Sequence, residues 1–368
     1  MKSRSILILA AAVGMLAQPA LADMKLGWAG PVTGGSAAVG LQNQNGVKQA
    51  VEDINAAGGI LGQQIAIEFE DDAGDPKQAV SVANRLAADN IKFIIGHQNS
   101  GASIPASDVY AENGMLQITP ASTNPRFTER QLWNTFRTCG RDDQQGTVAG
   151  NYLLKAFKGK NVFIVHDKTP YGEGLADEVK KSINGGGLNE VGFEGITVGD
   201  KDYSALIAKI KEAKADAVYF GGVYTEGGLI LRQMRDAGVD TPMIGGDALF
   251  STEFAAIGGS KSDGTLITFG PDARKNPAAA EAMKHFAAKK IDPEGYTLYG
   301  YAAVQVIAAG IKAAGSADAE AVAEKLHSGM MIDTVIGPLS YNEKGDITRL
   351  DFVFYELKDG KFVEKTAE

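Results

Sequence analysis

The sequence contains a single cysteine, Cys139, among its 368 residues, so no intramolecular disulfide can form. A catalytic thiol needs a base and an electropositive environment, and the neighbouring residues indicate neither, so Cys139 is expected to be a small core residue. The four histidines are scattered singly, without a metal-binding spacing such as H-E-x-x-H. We therefore expect neither a thiol enzyme nor a metal site.

Runs of basic residues and recognisable catalytic motifs are also missing. The formal net charge is −9, which argues against binding to nucleic-acid phosphates. There is no G-x-G-x-x-G after the first predicted strand, no phosphate-binding G-x-x-x-x-G-K-[ST] and no G-x-S-x-G nucleophile turn. No apolar run after the N-terminus is long enough to span a membrane. The expectation is a protein that is not an enzyme, has no cofactor and is not inserted in a membrane.

The N-terminus has the pattern of a cleavable signal peptide, residues 1–22. Lys2 and Arg4 precede an apolar run over 6–17, and Ala20-Leu21-Ala22 forms a cleavage site. The run is too short to span a bilayer, although a buried N-terminal helix is an alternative. Because no cysteine follows the cleavage site to carry a lipid, we expect export to the periplasm without a lipid anchor.

The remainder alternates short apolar runs with helical patterns, which predicts an α/β fold with mostly parallel sheets. This part of the chain is too long for a single hydrophobic core, and its strand–helix units divide into two series near Arg141. We therefore expect two lobes with several chain crossovers, a hinge and a cleft. Strands are predicted at 25–29, 65–70, 91–95, 115–118, 161–165, 191–198, 217–220, 243–245, 339–341 and 351–356. Helices are predicted at 42–55, from a cap at Asp75, and at 103–112, 146–157, 174–183, 203–214, 226–237, 277–289, 296–314 and 319–326.

Polar residues follow several predicted strands, where ligands gather in α/β proteins. Ser100 stands near a helix N-terminus, which favours an anion, and the turn at 119–123 adds hydroxyls. Asp247, after a strand of the second series, could pair with an ammonium group. The alternatives are an N-cap at Ser100, an ordinary turn at 119–123, and a cap at Asp247 for a helix over 248–255.

Three other polar positions are interpreted structurally. His97 and His166 also follow strands, but a single histidine there is more often structural than a ligand. The acidic run at 70–72 leads into the Asp75 cap and is interpreted as a solvated turn.

Long stretches of the chain resemble the type I periplasmic solute-binding proteins of ABC transporters, in particular the leucine/isoleucine/valine-binding group. They are 51–60 (VEDINAAGGI), 71–80 (DDAGDPKQAV), 94–97 (IIGH), 118–121 (ITPA), 165–168 (VHDK), 171–174 (YGEG), 336–339 (IGPL) and 342–346 (NEKGD). The resemblance implies two Rossmann-like α/β lobes joined by a multi-crossover hinge. The expected N-terminal lobe is 23–141 with 272–350, and the C-terminal lobe is 142–271 with 351–368.

The same resemblance implies a ligand site. A serine and a threonine that bind the ligand carboxylate fall at Ser100 and Thr123, and the ammonium site falls at the Ala121 carbonyl, Tyr171 and Asp247. The expected site also includes Gln98.

The chain departs from the best-known members of that group at several of these positions. They have Glu at Asp247, an aromatic residue at Val39 and a tyrosine at Val223, where Tyr224 is adjacent and could partly replace it. Tyr296 keeps the aromatic residue of the far wall. Their disulfide falls at Gly74 and Asn99, and both cysteines are absent here.

The pocket is therefore expected to be roomier than in the branched-chain binders. An aliphatic amino acid is expected first, with a larger aromatic amino acid as the alternative. Glutamate is not expected to bind tightly, because no Arg or Lys stands at the matched pocket positions.

The resemblance implies a monomeric binding protein that captures a free amino acid by hinge closure and delivers it to a membrane permease. The alternative hypotheses are a sensory module for a membrane receptor and an amidohydrolase that uses the same cleft. The sequence shows no nucleophile–base pair for an amidohydrolase.

Overall fold

The computed structural model describes residues 23–349 and 352–365. The expected signal peptide, residues 1–22, lies outside the described residues. Among the described residues, no helix combines the length and apolar character needed to cross a membrane.

The first sheet consists of five parallel strands in the order β2-β1-β3-β4-β5. They are Met24–Gly30 (β1), Ile65–Asp71 (β2), Phe93–Gly96 (β3), Leu116–Thr119 (β4) and Thr135–Arg137 (β5). The strand order reverses between β1 and β3, and a crevice forms there at the carboxyl ends of the strands.

Helices cover both faces of this sheet, as an all-parallel sheet requires. They are Ala37–Ala56 (α1), Pro76–Ala88 (α2), Ser100–Glu112 (α3), Arg126–Glu129 (α4) and, later in the chain, Ala280–Ala288 (α10), Thr297–Ala314 (α11) and Ala319–His327 (α12). The helices α1 and α11 pack closely, and Gly46 permits the approach because a Cβ there would overlap the Thr297 carbonyl. This contact fixes the start of α11 beside the crevice.

The second sheet repeats the order of the first. Its strands run β7-β6-β8-β9-β10, all parallel, with β11 and β12 added antiparallel at the β10 edge. They are Val162–His166 (β6), Glu190–Gly195 (β7), Ala217–Gly221 (β8), Met243–Gly245 (β9), Leu266–Phe269 (β10), Val353–Lys358 (β11) and Lys361–Glu364 (β12). The associated helices are Asp142–Ala156 (α5), Pro170–Gly185 (α6), Ser204–Glu212 (α7), Tyr224–Asp236 (α8) and Thr252–Gly258 (α9).

The chain passes between the two sheets more than once. It leaves the first after β5, returns to it after β10 with the helices α10 to α12, and re-enters the second with β11. Crossings of this kind form a hinge rather than a single flexible linker. The exact lobe limits given above stay a prediction.

A buried ion-pair network lies beside the first crossing. Arg137 and Arg141 both pair with Asp346, at 2.8 Å and 2.7 Å, and Thr128 donates to the same carboxylate at 2.8 Å. The Arg137 guanidinium also donates to the carbonyl oxygens of Ser122 and Asn124. The network therefore connects the hinge to the loop that follows β4.

Most predicted elements are confirmed, including the Asp75 cap, whose side chain accepts from the backbone N–H of Lys77 and Gln78. The predicted strand at 339–341 is wrong. Its residues make only isolated bridges, Leu339 with Ile332 and Tyr341 with Ile347, too short a pairing for a strand.

The interpretation of the acidic run at 70–72 as a solvated turn is also wrong. Glu70 and Asp71 belong to β2, and Asp72 is fully buried, where it contacts the ring of His97 at 2.5 Å. The structural interpretation of His97 holds, because its second ring nitrogen lies 2.9 Å from the Tyr110 hydroxyl.

Candidate functional site: the cleft between the lobes

The first lobe brings hydroxyl groups and a helix N-terminus to the cleft. Ser100 is the first residue of α3 and is 1 % exposed, and its Oγ accepts a hydrogen bond from the Asn124 backbone N–H at 3.2 Å. Because Oγ accepts this bond, the Ser100 hydroxyl hydrogen remains available to a ligand. The first turn of α3 adds backbone N–H groups without intrahelical acceptors. This side of the cleft suits an anion.

Thr123 lies after β4 in the same lobe. It is fully buried, and its hydroxyl has no hydrogen-bond partner within the described part of the chain. Buried hydroxyl groups are normally paired, so an unpaired one beside a cleft indicates a group that can bind a ligand.

The second lobe brings a carboxylate to the cleft. Asp247 follows β9 and is 2 % exposed. Tyr171, in the first turn of α6, donates to one carboxylate oxygen at 3.0 Å, and Tyr296, which caps α11 of the first lobe, donates to the other. Burial raises the pKa of Asp247, and hydrogen bonds from Tyr296, Gln145 and Tyr171 oppose the rise. A cationic ligand group would stabilise the ionised carboxylate.

The two lobes meet directly on both sides of this site. On one side, Asn124 donates to the Pro170 carbonyl at 2.6 Å. On the other, Thr225 donates to the Gly35 carbonyl at 2.5 Å, and the Tyr224 hydroxyl accepts from the Ala38 N–H at 3.2 Å. The cavity left between them measures about 20 Å³, room for about one water molecule. A larger ligand can enter only when the lobes move apart.

Most of the residues predicted for the site line this cavity. The lining residues are Val39, Gln98, Asn99, Ser100, Ala121, Tyr171, Val223, Asp247 and Ala248. Thr123 is buried and is not one of the lining residues, and Tyr296 reaches the site through its bond to Asp247. The Tyr224 hydroxyl accepts from the Ala38 N–H at the start of α1, across the cleft, and Tyr224 is not among the residues that line the cavity beside Val223. Its expected partial replacement of the missing tyrosine stays a prediction.

Two structural alternatives for the predicted residues are wrong. The N-cap of α3 is Asn99, so Ser100 does not cap this helix. Asp247 begins a short 3-10 helix over Asp247–Leu249, its carboxylate bonds to the two tyrosines, and the following helix α9 is capped by Ser251. Both side chains are therefore free of a capping role.

The positions that carry a disulfide in similar proteins are neighbours here. A Cβ built on Gly74 lies 3.3 Å from the Asn99 side-chain oxygen. Asn99 instead donates to the Ser36 hydroxyl at 3.1 Å, which ties the start of α3 to the loop before α1.

Three polar residues beside the site were missed from the sequence: Asp142, Gln145 and Tyr219. All three are fully buried. The first two stand on the first turn of α5, where an acidic residue is normally explained by the helix dipole, and Tyr219 lies inside an apolar strand. The only signal was a pair of aspartates at a predicted chain crossing.

A larger groove, of about 790 Å³, runs between α5 and α6 on the outer surface. Its lining includes solvent-accessible helix residues such as Asp143 and Lys181. The cleft collects buried polar groups at the carboxyl ends of parallel strands from both sheets, and is therefore the candidate site. Within the described ranges, no group of three or more His, Cys, Asp or Glu side chains could hold a metal ion.

Two α/β lobes of equal strand order, with a polar cleft between them and several chain crossings, define a two-lobed binding protein of type I architecture. Comparison with known proteins agrees with this class. The chain belongs to the periplasmic binding protein family, whose model matches residues 23–361.

Curated relatives match over almost the whole chain. A Leu/Ile/Val-binding protein homolog 1 of Brucella melitensis is 54 % identical over 355 residues, 96 % of either chain. The Leu/Ile/Val-binding protein BraC3 of Rhizobium johnstonii is 51 % identical over 93 % of this chain and 94 % of its own.

The fold is also that of solved structures in this group. The crystal structure of a leucine binding protein LivK from Thermotoga maritima superposes with a TM-score of 0.87 at 27 % identity, covering 93 % of this chain and 98 % of that one. The expected fold class, a type I periplasmic binding protein of the Leu/Ile/Val group, is thus confirmed.

Proposed function

We propose that this protein is the periplasmic binding component of an ABC transporter, and that it captures a free amino acid in the cleft and delivers it to a membrane permease. The observation that carries this proposal is the division of charge across the cleft. Hydroxyl groups and a helix N-terminus lie on one side, and a buried carboxylate lies on the other. An amino acid, with a carboxylate and an ammonium group, is complementary to both.

Capture follows from this geometry. Ser100, Thr123 and the start of α3 hold the ligand carboxylate on the first lobe. Asp247 then pairs with the ammonium group as the lobes close, assisted by the Ala121 carbonyl, while Tyr171 positions the Asp247 carboxylate. The ligand favours closure because it contacts both lobes only in the closed form.

An aliphatic side chain fits the lining best. Val39 and Val223 face the cavity, and the curated relatives are named Leu/Ile/Val-binding proteins. An aromatic amino acid is the alternative, because both valines replace larger residues of the best-known binders.

The partners and location follow the family. We propose export through the N-terminal signal peptide, function as a monomer without a lipid anchor, and no enzymatic activity. A sensory module would use the same cleft, and the discriminating observation is whether the gene lies beside those for a permease and ATPases.

A thermal-shift screen against all common amino acids tests the proposal. A ligand at about 100 times its Kd adds roughly 2.7 kcal/mol of stability, so a true ligand shifts the Tm strongly. Competition among valine, leucine, phenylalanine and glutamate then ranks the side chains. A flat screen would refute amino-acid binding, and tightest binding of glutamate would refute the apolar pocket.

Removing either hydroxyl that faces the carboxylate is expected to weaken binding by about 1.5–3 kcal/mol, because a hydrogen bond to a charged group is lost. Calorimetry on Ser100→Ala and Thr123→Ala measures this. The matched control is Ser107→Ala, a buried serine of α3 whose hydroxyl donates to the Ile104 carbonyl and accepts from Arg130. Unchanged affinity in both cleft variants would disprove the carboxylate site.

A further inference from the structure

A second buried carboxyl group, that of Asp142, interacts electrostatically with Asp247. Asp142, the first residue of α5, is 0 % exposed, and its backbone N–H donates to the Thr123 carbonyl at 2.9 Å. Neither of its carboxylate oxygens has a hydrogen-bond partner within residues 23–349 and 352–365. A buried carboxyl without partners is costly, so the fold keeps it at the expense of stability.

The groups around Asp142 leave further polar atoms unpaired. The Gln145 amide donates to Thr268 at 2.9 Å and 3.1 Å, but its oxygen is unpaired among the described residues, as are the hydroxyl groups of Tyr219 and Thr123. Gln145 also lies beside Gly246, next to Asp247. The cluster behind Asp247 is therefore rich in acceptors and open to one more donor.

No cation of the protein balances the two carboxyl groups in the described structure. The cation that acts on Asp142 is Arg137, and its guanidinium is engaged by Asp346, Thr128 and two backbone carbonyls. Burial raises the pKa of Asp142 well above its usual range, as does the charge of Asp247, while Thr123 and Arg137 oppose the rise. The Thr123 hydroxyl lies near enough for this effect without meeting hydrogen-bond geometry.

We propose that Asp142 is a specificity-determining residue, and that Asp142 and Asp247 together restrict the cleft to ligands that carry an ammonium group beside their carboxylate. This inference rests on the proposed amino-acid binding. An amino acid supplies the positive charge that both carboxyl groups lack. Its des-amino counterpart would bury a third negative group beside them and is rejected.

The charge balance also predicts opposite proton changes for the two ligands. The titratable groups that face Asp142 are Asp247, Tyr171, Tyr219, Cys139, Arg137 and Asp143. An ammonium group favours ionised carboxyl groups, so amino-acid binding releases protons. A des-amino acid favours protonated ones, so its binding takes protons up.

A substitution of Asp142 distinguishes a role in ligand specificity from a purely structural role. In Asp142→Asn, the acceptor-rich surroundings can receive the amide hydrogens, and a buried carboxyl group without partners is removed. We expect a higher Tm without ligand, together with an at least tenfold smaller ratio between the Kd values of the des-amino acid and the amino acid. The probes are the tightest amino acid of the screen and its des-amino counterpart, such as leucine and 4-methylpentanoate.

The control is Asp167→Asn, another buried carboxyl group of the second lobe with one unpaired oxygen and a pKa raised to about 6 by burial. It faces Glu226 and not Asp247, so it should leave the ligand ratio unchanged. An unchanged ratio in Asp142→Asn would overturn the inference while amino-acid binding stands.

Calorimetry of the wild type at a series of pH values, in buffers of different ionisation enthalpy, gives an independent test if the variant fails to fold. Proton release with the amino acid supports the inference, and no net proton change overturns it. If no amino acid binds at all, the proposed function fails as well, which the screen shows separately.

Discussion

Asp247→Asn is expected to weaken amino-acid binding by about 2–5 kcal/mol, since removing one partner of a buried charge pair leaves the other uncompensated. This corresponds to a loss of roughly 30-fold to several thousand-fold in affinity. The substitution keeps the shape of the side chain. Tyr171 and Tyr296 donate to different carboxylate oxygens, so one of them can still donate to the amide oxygen while the other accepts from the amide nitrogen. Isothermal calorimetry with the ligand found by the screen measures the effect.

The contrast with a ligand that lacks the ammonium group makes this prediction specific. The des-amino acid should bind Asp247→Asn no worse than it binds the wild type. Asp236→Asn, at the exposed end of α8, is the control and should bind normally. Near-wild-type affinity in Asp247→Asn, or a wild type that prefers simple carboxylic acids, would contradict the ammonium site.

Asp346→Ala is expected to lower the free energy of unfolding by about 3–5 kcal/mol, the usual cost of removing one partner from a buried ion pair. Asp346 is 2 % exposed and pairs with both Arg137 and Arg141, and Arg137 itself is fully buried. The substitution leaves a buried guanidinium group without its counter-charge. Urea denaturation of the ligand-free protein gives the value.

Acid titration adds a second readout for the same residue. Burial alone would raise the pKa of Asp346, but Arg137 and Arg141 outweigh it and lower the pKa. Its stabilisation is therefore present above the unfolded pKa, near 3.8, and is lost as the pH falls through the folded value. The Asp346→Ala protein should lack this part of the acid sensitivity.

The matched control is Lys344→Gln, which breaks the more exposed pair between Lys344 and Glu129 in the same network. Exposed pairs contribute about 0–1 kcal/mol. Equal losses in the two variants would mean that burial of the pair does not matter, contrary to the prediction.

The regular elements could be predicted because periodicity and caps are local. The strand β10, Leu266–Phe269, was missed because a run of only four residues, with Thr268 among the apolar ones, carries little pattern. The predicted strand at 339–341 failed for the converse reason. Leu339 and Tyr341 are buried by packing, and among the described residues they pair only through isolated bridges.

The residues of the candidate site also include some that the sequence predicts and one that it does not. Ser100 and Asp247 could be predicted because each follows a strand, and the carboxyl ends of parallel strands meet. Asp142 could not, because an aspartate at a helix start already has a local explanation. Its proximity to Asp247 depends on a chain crossing that brings α5 beside β10, the strand next to β9, and no local pattern reveals this.

The shared strand order of the two sheets has a consequence for how a ligand lies in the cleft. The turns after β3 and β4 in one half correspond in strand order to those after β8 and β9 in the other, so the two halves offer topologically equivalent turns to the cleft. The side chains break this equivalence, with Ser100 and Thr123 in one half and Asp247 in the other. A zwitterion can therefore bind in one orientation and not in the reverse one. The charges of the side chains, and not the shape of the fold, select this orientation.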